Sequence, residues 1–150
     1  MDAVTYPNEK VIEFINNNMI PVRLPADAKP WSEDFNVNWT PTIITLGADG
    51  REHHRTLGFL APEELIPSLM LGIAKIYFDA GQFEESLKGL AALLVEYPKS
   101  DAVPEAIYLQ GVNRYKNTHE AGPLKAAYER LLAEHASSEW TKKAYPYRLL

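Results

Sequence analysis

The chain has 150 residues, of which 46% are hydrophobic and 23% are charged, and its formal net charge is −5. This composition is typical of a globular protein with one domain, or with two small halves that share a core. The negative charge and the lack of a basic stripe argue against a nucleic-acid partner, because phosphate binding needs clustered Lys and Arg. The chain contains no cysteine, which excludes disulfides, thiolate nucleophiles and zinc–thiolate sites.

Targeting signals and membrane segments are not evident in the sequence. No apolar run approaches the length of a membrane span, so we expect no membrane partner. The first residues do not show the basic stretch followed by an apolar stretch that marks a secretory signal peptide. We therefore predict a cytoplasmic protein, provided that Met1 is the natural start.

The first part of the chain predicts a small α/β arrangement. Asn8 is a suitable N-cap, and apolar residues follow it at helical spacing. Pro21 has no N–H group and indicates the edge or the start of a strand. The predicted elements are a helix over residues 8–17, a helical turn at Ser32–Phe35, a buried strand over Thr42–Leu46, and strands over Met19–Leu24 and Arg51–Leu57, the last following a Gly-Ala-Asp-Gly turn.

The second part predicts helices only. Pro62, followed by two glutamates, is a typical helix start. The expected helices cover residues 62–80, 83–97, 104–117, 122–135 and 138–146. We predict two units, 1–66 and 67–150. Because no flexible linker joins them, the pattern favours one compact body.

The helical part repeats itself. Tyr77 aligns with Tyr115 and Leu94 with Leu132, a shift of 38 residues. The spacing resembles a tetratricopeptide repeat, in which small residues let paired helices approach closely; the matching positions are Ala74, Tyr77, Gly81, Phe83, Leu90, Leu94, Pro98, Gly111, Tyr115, Tyr128 and Leu132. The alternatives are an unrelated helical bundle, or a stack that only braces the sheet. The resemblance implies a peptide-binding face on the first helix of each pair, with candidate residues Lys75, Phe78, Tyr108, Val112 and Tyr115.

The strand part carries a second resemblance. Trp39-Thr40-Pro41-Thr42 before a strand resembles the corresponding motif of thioredoxin-like proteins, and the likeness covers about residues 1–72. It implies a cis bond between Thr40 and Pro41 and a Cys-x-x-Cys just before Met1. The expected fold class is therefore α/β: a truncated thioredoxin-like sheet followed by tetratricopeptide-like helical hairpins.

The resemblance also implies that the central strand of the sheet is missing. Its two flanking strands, Met19–Leu24 and Thr42–Leu46, would then have unpaired backbone groups, which cost about 1–3 kcal/mol each when buried. The two strands could pair with each other, a partner protein could donate a strand, or a second copy could complete the edge. We favour the second copy and predict a homodimer.

Candidate chemistry is sparse. His53 and His54 are adjacent on a strand, where neighbouring side chains point to opposite faces, so we predict no metal site. No pattern of catalytic residues and no cofactor motif is found. Trp39, Thr40 and Pro41 are either a peptide-docking surface retained without redox activity, or Trp39 covers the core.

The leading interpretation is a non-catalytic protein–protein interaction protein that dimerises and can also bind a peptide. The alternative is the C-terminal part of a bacterial thiol–disulfide oxidoreductase whose redox motif lies upstream of Met1. A stabilising or chaperone-like module is the third interpretation.

Overall fold

The computed structural model describes all residues, 1–150, as a mixed α/β chain with a small sheet followed by helices. The elements are α1 (Glu9–Asn18), α2 (Trp31–Asp34), β1 (Thr42–Leu46), β2 (Glu52–Leu57), α3 (Pro62–Asp79), α4 (Phe83–Glu96), α5 (Val103–Thr118), α6 (Gly122–Glu134) and α7 (Glu139–Ala144), with a final 3-10 helix over Tyr145–Leu149. None of the helices combines the length and apolar character needed to cross a membrane.

The predicted helix boundaries are confirmed to within about two residues. The Asn8 side chain accepts hydrogen bonds from the backbone N–H groups of Lys10 and Val11, at 3.0 and 3.3 Å. Pro62 occupies the first turn of α3. At the start of α7, the Ser138 hydroxyl accepts a hydrogen bond from the Trp140 N–H.

The predicted strand over Met19–Leu24 is wrong. Met19 has extended backbone angles (φ −155°, ψ 170°), but residues 20–24 belong to no sheet and make no backbone–backbone hydrogen bond. Their apolar side chains are exposed, by 91% at Ile20, 76% at Val22 and 49% at Leu24. A strand needs a hydrogen-bonded neighbour, and within the chain no neighbour reaches this segment. Direct pairing with β1, one of the three predicted repairs, does not occur.

The sheet is a two-stranded antiparallel hairpin in which β1 pairs with β2. Only Thr45 of β1 is buried, so the expectation of a buried strand is met at a single position. Thr45 lies over Gly72 of α3, where an added Cβ would come within 2.7 Å of the threonine Oγ1. Glycine at this position therefore allows the sheet to contact α3 closely.

Two apolar cores are linked by α3. The larger cluster contains 12 buried residues, all between Leu71 and Ala144. The smaller one has four buried residues, Val11 of α1 and three residues of α3. Because α3 contributes to both, the predicted unit boundary after residue 66 lies inside a continuous helix.

The helices form antiparallel pairs, α3 with α4 and α5 with α6, joined at positions of small residues. Gly111 on α5 faces Ala127 on α6, and a Cβ on this glycine would lie 2.6 Å from the alanine Cβ. Between α3 and α4, the fully buried Ser86 hydroxyl donates a hydrogen bond of 2.7 Å to the Ala74 carbonyl. This small side chain thus allows close packing and also links the two helices by a hydrogen bond.

Candidate functional site

An open polar cleft of about 460 Å³ lies between β2 and the helices. It is lined by residues of β2, α3, α5 and α7, only one of them hydrophobic: Glu52, His53, His54, Arg55, Lys75, Glu105 and Trp140. The cleft therefore joins the strand part of the chain to the helical part.

A β-bulge places both histidines against the same helix. Thr45 pairs with His54 and Leu46 pairs with Glu52, so His53 has no residue opposite it in the sheet. The extra residue interrupts the alternation of side chains between the two faces. The His53 ring contacts Asp79 of α3 (Nδ1 to Oδ2, 2.5 Å), and the His54 ring contacts Ser68 and Lys75 of the same helix. The predicted opposite orientation of the two rings is therefore wrong.

His54 is half-buried, and its hydrogen bonds define its tautomer. The Lys75 ammonium has only donors, so it donates to Nδ1 of His54 at 3.0 Å. The ring proton is consequently on Nε2, which donates to the Ser68 hydroxyl at 3.0 Å. Burial, together with the adjacent Lys75 charge, lowers the pKa of His54 to about 4, while Glu52 acts in the opposite direction.

The hydrogen bond between Ser68 and His54 runs in the wrong direction for nucleophilic catalysis by the serine. A general base must accept the hydroxyl proton through an unprotonated ring nitrogen. Here the nitrogen nearest Ser68 carries hydrogen, since Lys75 occupies the other nitrogen. In this arrangement the histidine donates to the serine and does not activate it. The contacts instead attach β2 to α3.

The charges of the cleft are paired. Lys75 forms an ion pair with Glu105 of α5, and their side chains are only 23% and 16% exposed. Arg55 binds both carboxylate oxygens of Glu52 at 2.7 Å and donates to the Phe35 carbonyl at 2.6 Å. Two acidic and two basic groups leave the site close to neutral. Such a lining suits neutral polar groups, such as those of a peptide backbone, better than a polyanion.

Of the five helical residues predicted to bind, only Lys75 lines the cleft. Tyr108 lies behind it: its ring is 5.2 Å from that of Trp140 and 6.0 Å from that of Tyr147, with 3.0 Å between the two tyrosine oxygens. Burial and this contact raise the pKa of Tyr147 to about 12. Phe78 packs on Phe83, with 5.7 Å between ring centroids, and against the larger core.

Val112 and Tyr115 are half-buried on α5 and do not line the cleft. No sequence pattern indicated His54, Glu105 or Trp140 as members of the site. The Lys75–Glu105 pair joins two helices 30 positions apart, and no local spacing signals it. The position of the His54 ring against α3 could be predicted only if the β-bulge were already known.

Trp39, Thr40 and Pro41 form a separate feature. Trp39 is 64% exposed and lines, together with Thr40, a shallow depression of about 320 Å³. The Thr40–Pro41 peptide bond is cis, as predicted. Trp39 does not cover the core, which removes one of the two interpretations of this residue. The half-buried Pro41 accepts a hydrogen bond from the Gly58 N–H through its carbonyl, at 2.8 Å.

The unpaired segment of residues 20–24 is the third feature. Its backbone donors and acceptors are free of other backbone groups, and β1 is paired on one side only. No protein-family model, curated protein or solved structure matches the chain.

Proposed function

We propose that this chain is a non-catalytic interaction protein that forms a homodimer through its strand part. The main support for this proposal comes from residues 20–24. This segment exposes apolar side chains and has unpaired backbone groups at the same place. Exposed apolar surface and free sheet-forming groups both favour association with another strand. A second copy always supplies an identical segment.

The proposal includes a thioredoxin-like origin for the strand part and tetratricopeptide-like geometry for the helices. The β1–β2 hairpin on α3 supports the first, and the close contact of Gly111 with Ala127 supports the second. In this view β2 lies against the helical face that would carry a peptide. A bound peptide would then occupy the remaining polar cleft beside Lys75 and Glu105.

Sedimentation velocity of the wild-type protein over a range of micromolar concentrations tests the dimer. We expect a concentration-dependent shift from monomer to dimer. A monomer at every concentration would contradict the proposed function.

The second candidate is the C-terminal part of a thiol–disulfide oxidoreductase. The observation that favours it is the same pair of unpaired segments, residues 20–24 and the free side of β1, which a further strand of a longer chain would satisfy. In-frame coding sequence upstream of Met1 with a strand and a Cys-x-x-Cys would support this candidate. A stop codon and a ribosome-binding site there would contradict it.

A further inference from the structure

We infer that the dimer forms by antiparallel pairing of residues 20–24 with the same residues of a second copy, in a two-fold register centred on Val22. This inference rests on the proposed function and names the surface and the register. It follows from the position of one proline and from the order of the apolar residues.

Pro21 makes the two edges of this segment unequal. In a strand, the N–H and C=O of one residue point to the same edge, and those of the next residue point to the other. Ile20, Val22 and Leu24 therefore share an edge with complete donors and acceptors. The edge of Pro21 and Arg23 lacks one donor, since proline has no N–H. Only the first edge is fully able to pair.

Antiparallel self-pairing on this edge is complementary when Val22 lies at the two-fold axis. Val22 then faces Val22 of the second copy, and Ile20 faces Leu24, so apolar side chains meet on one face. Arg23 faces Pro21, which keeps the two positive charges apart. A shift of one residue would place apolar side chains opposite polar ones and would use the defective edge.

The segment is free to pair in this way. Ile20, Val22 and Leu24 are exposed, and the only polar side-chain contact in the segment joins Arg23 to Asp2, at 2.9 Å on the surface. Pairing therefore breaks no interaction of the folded chain. Because five residues bury less area than a standard interface, we expect a weak dimer whose population rises with protein concentration.

A single engineered cysteine tests the register, since the natural chain has none. In the proposed pair the two Val22 Cα atoms are about 5.5 Å apart, within the range that a disulfide spans. Val22→Cys should therefore form a covalent dimer when diamide oxidises the two thiols. Ile20→Cys is the matched control: its two copies lie about 13 Å apart along the strands and should cross-link far less.

A proline pair tests the edge independently. Val22→Pro removes the N–H on the pairing edge and should weaken dimerisation about tenfold or more in sedimentation experiments, because both symmetric hydrogen bonds are lost. Arg23→Pro removes an N–H from the already defective edge and should leave the dimer intact. Thermal unfolding of both variants, followed by circular dichroism, checks that the helices are unchanged.

The outcomes separate this inference from the proposed function. If the wild-type protein is a monomer, both this inference and the proposed function are wrong. The free edge would then pair with a strand from elsewhere in a longer chain. A dimer that survives Val22→Pro, or cross-linking that is no better in Val22→Cys than in Ile20→Cys, overturns only the register. Selective cross-linking of Val22→Cys together with loss of the dimer in Val22→Pro supports the inference.

Discussion

The helical part and the strand part of this chain satisfy their backbone and apolar groups in different ways. The helices close their own hydrogen bonds and bury a cluster of 12 residues within residues 71–144. The apolar cluster beside the strand part has only four buried residues, three of which belong to α3, and most of the exposed large hydrophobic side chains lie in the first 60 residues. A helix is complete by itself, whereas a strand depends on a neighbour.

The largest effect is expected in the helical core. Leu90 is fully buried between α4 and its neighbours, so Leu90→Ala should lower the free energy of unfolding by about 2–5 kcal/mol. Ile20→Ala, in the exposed segment, should change it by less than about 0.5 kcal/mol. Urea unfolding of the two variants measures both values. A similar loss in both would show that residues 20–24 pack as tightly as the helices.

Acidification should weaken the junction between the sheet and the helices. The pKa of His54 is lowered from 6.5 to about 4 in the folded protein, so the unfolded chain takes up its proton first as the pH falls. The stability that the neutral ring provides is complete above pH 6.5 and is lost towards pH 4. This pKa difference corresponds to a loss of roughly 3 kcal/mol. Urea unfolding at a series of pH values measures the slope.

His54→Gln is the matched control for the pH dependence. A glutamine amide can accept from Lys75 and donate to Ser68 without titrating. The free energy of unfolding of the His54→Gln variant should therefore vary less between pH 6.5 and 4 than that of the wild type. Equal slopes in the two proteins would assign the pH dependence to other groups, such as Glu52.

The next largest loss of stability is expected from overpacking between α5 and α6. An added Cβ at Gly111 meets Ala127 at 2.6 Å, so Gly111→Val should destabilise the protein by about 1–3 kcal/mol. At Gly89 the nearest atom is 3.8 Å from an added Cβ, and Gly89→Ala should stabilise α4 by up to about 1 kcal/mol. Thermal unfolding compares the two. A neutral Gly111→Val would mean that the helices separate easily.

Breaking the Lys75–Glu105 ion pair should have an effect similar in size to that of Gly111→Val. Lys75→Met leaves a half-buried carboxylate and removes the donor to His54, at a cost of about 1–3 kcal/mol. The double variant Lys75→Met, Glu105→Met removes both charges and should recover part of the loss. Urea unfolding of the single and double variants measures the coupling. No recovery would indicate that Lys75 acts mainly through His54.

Local signals predicted most of the fold. Asn8, Pro62 and Ser138 mark helix starts, and the β-branched run with a glycine turn marks the hairpin; all of these are in the structure. The predicted site was less accurate. Lys75, predicted on the peptide-binding face of the helices, lines the cleft, but its partners come from β2 and α5, which are distant in sequence.

Helix ends, turn positions and the 38-residue repeat are thus properties of the sequence alone, because capping, turn chemistry and helical periodicity act over a few residues. Tertiary structure decided two other features. The bulge at His53 turned both histidines towards α3, and the lack of a neighbouring strand left residues 20–24 unpaired. Both features depend on which backbone segment lies beside the strand or segment concerned. Outside a hairpin, strand pairing joins distant segments, and local spacing does not encode it.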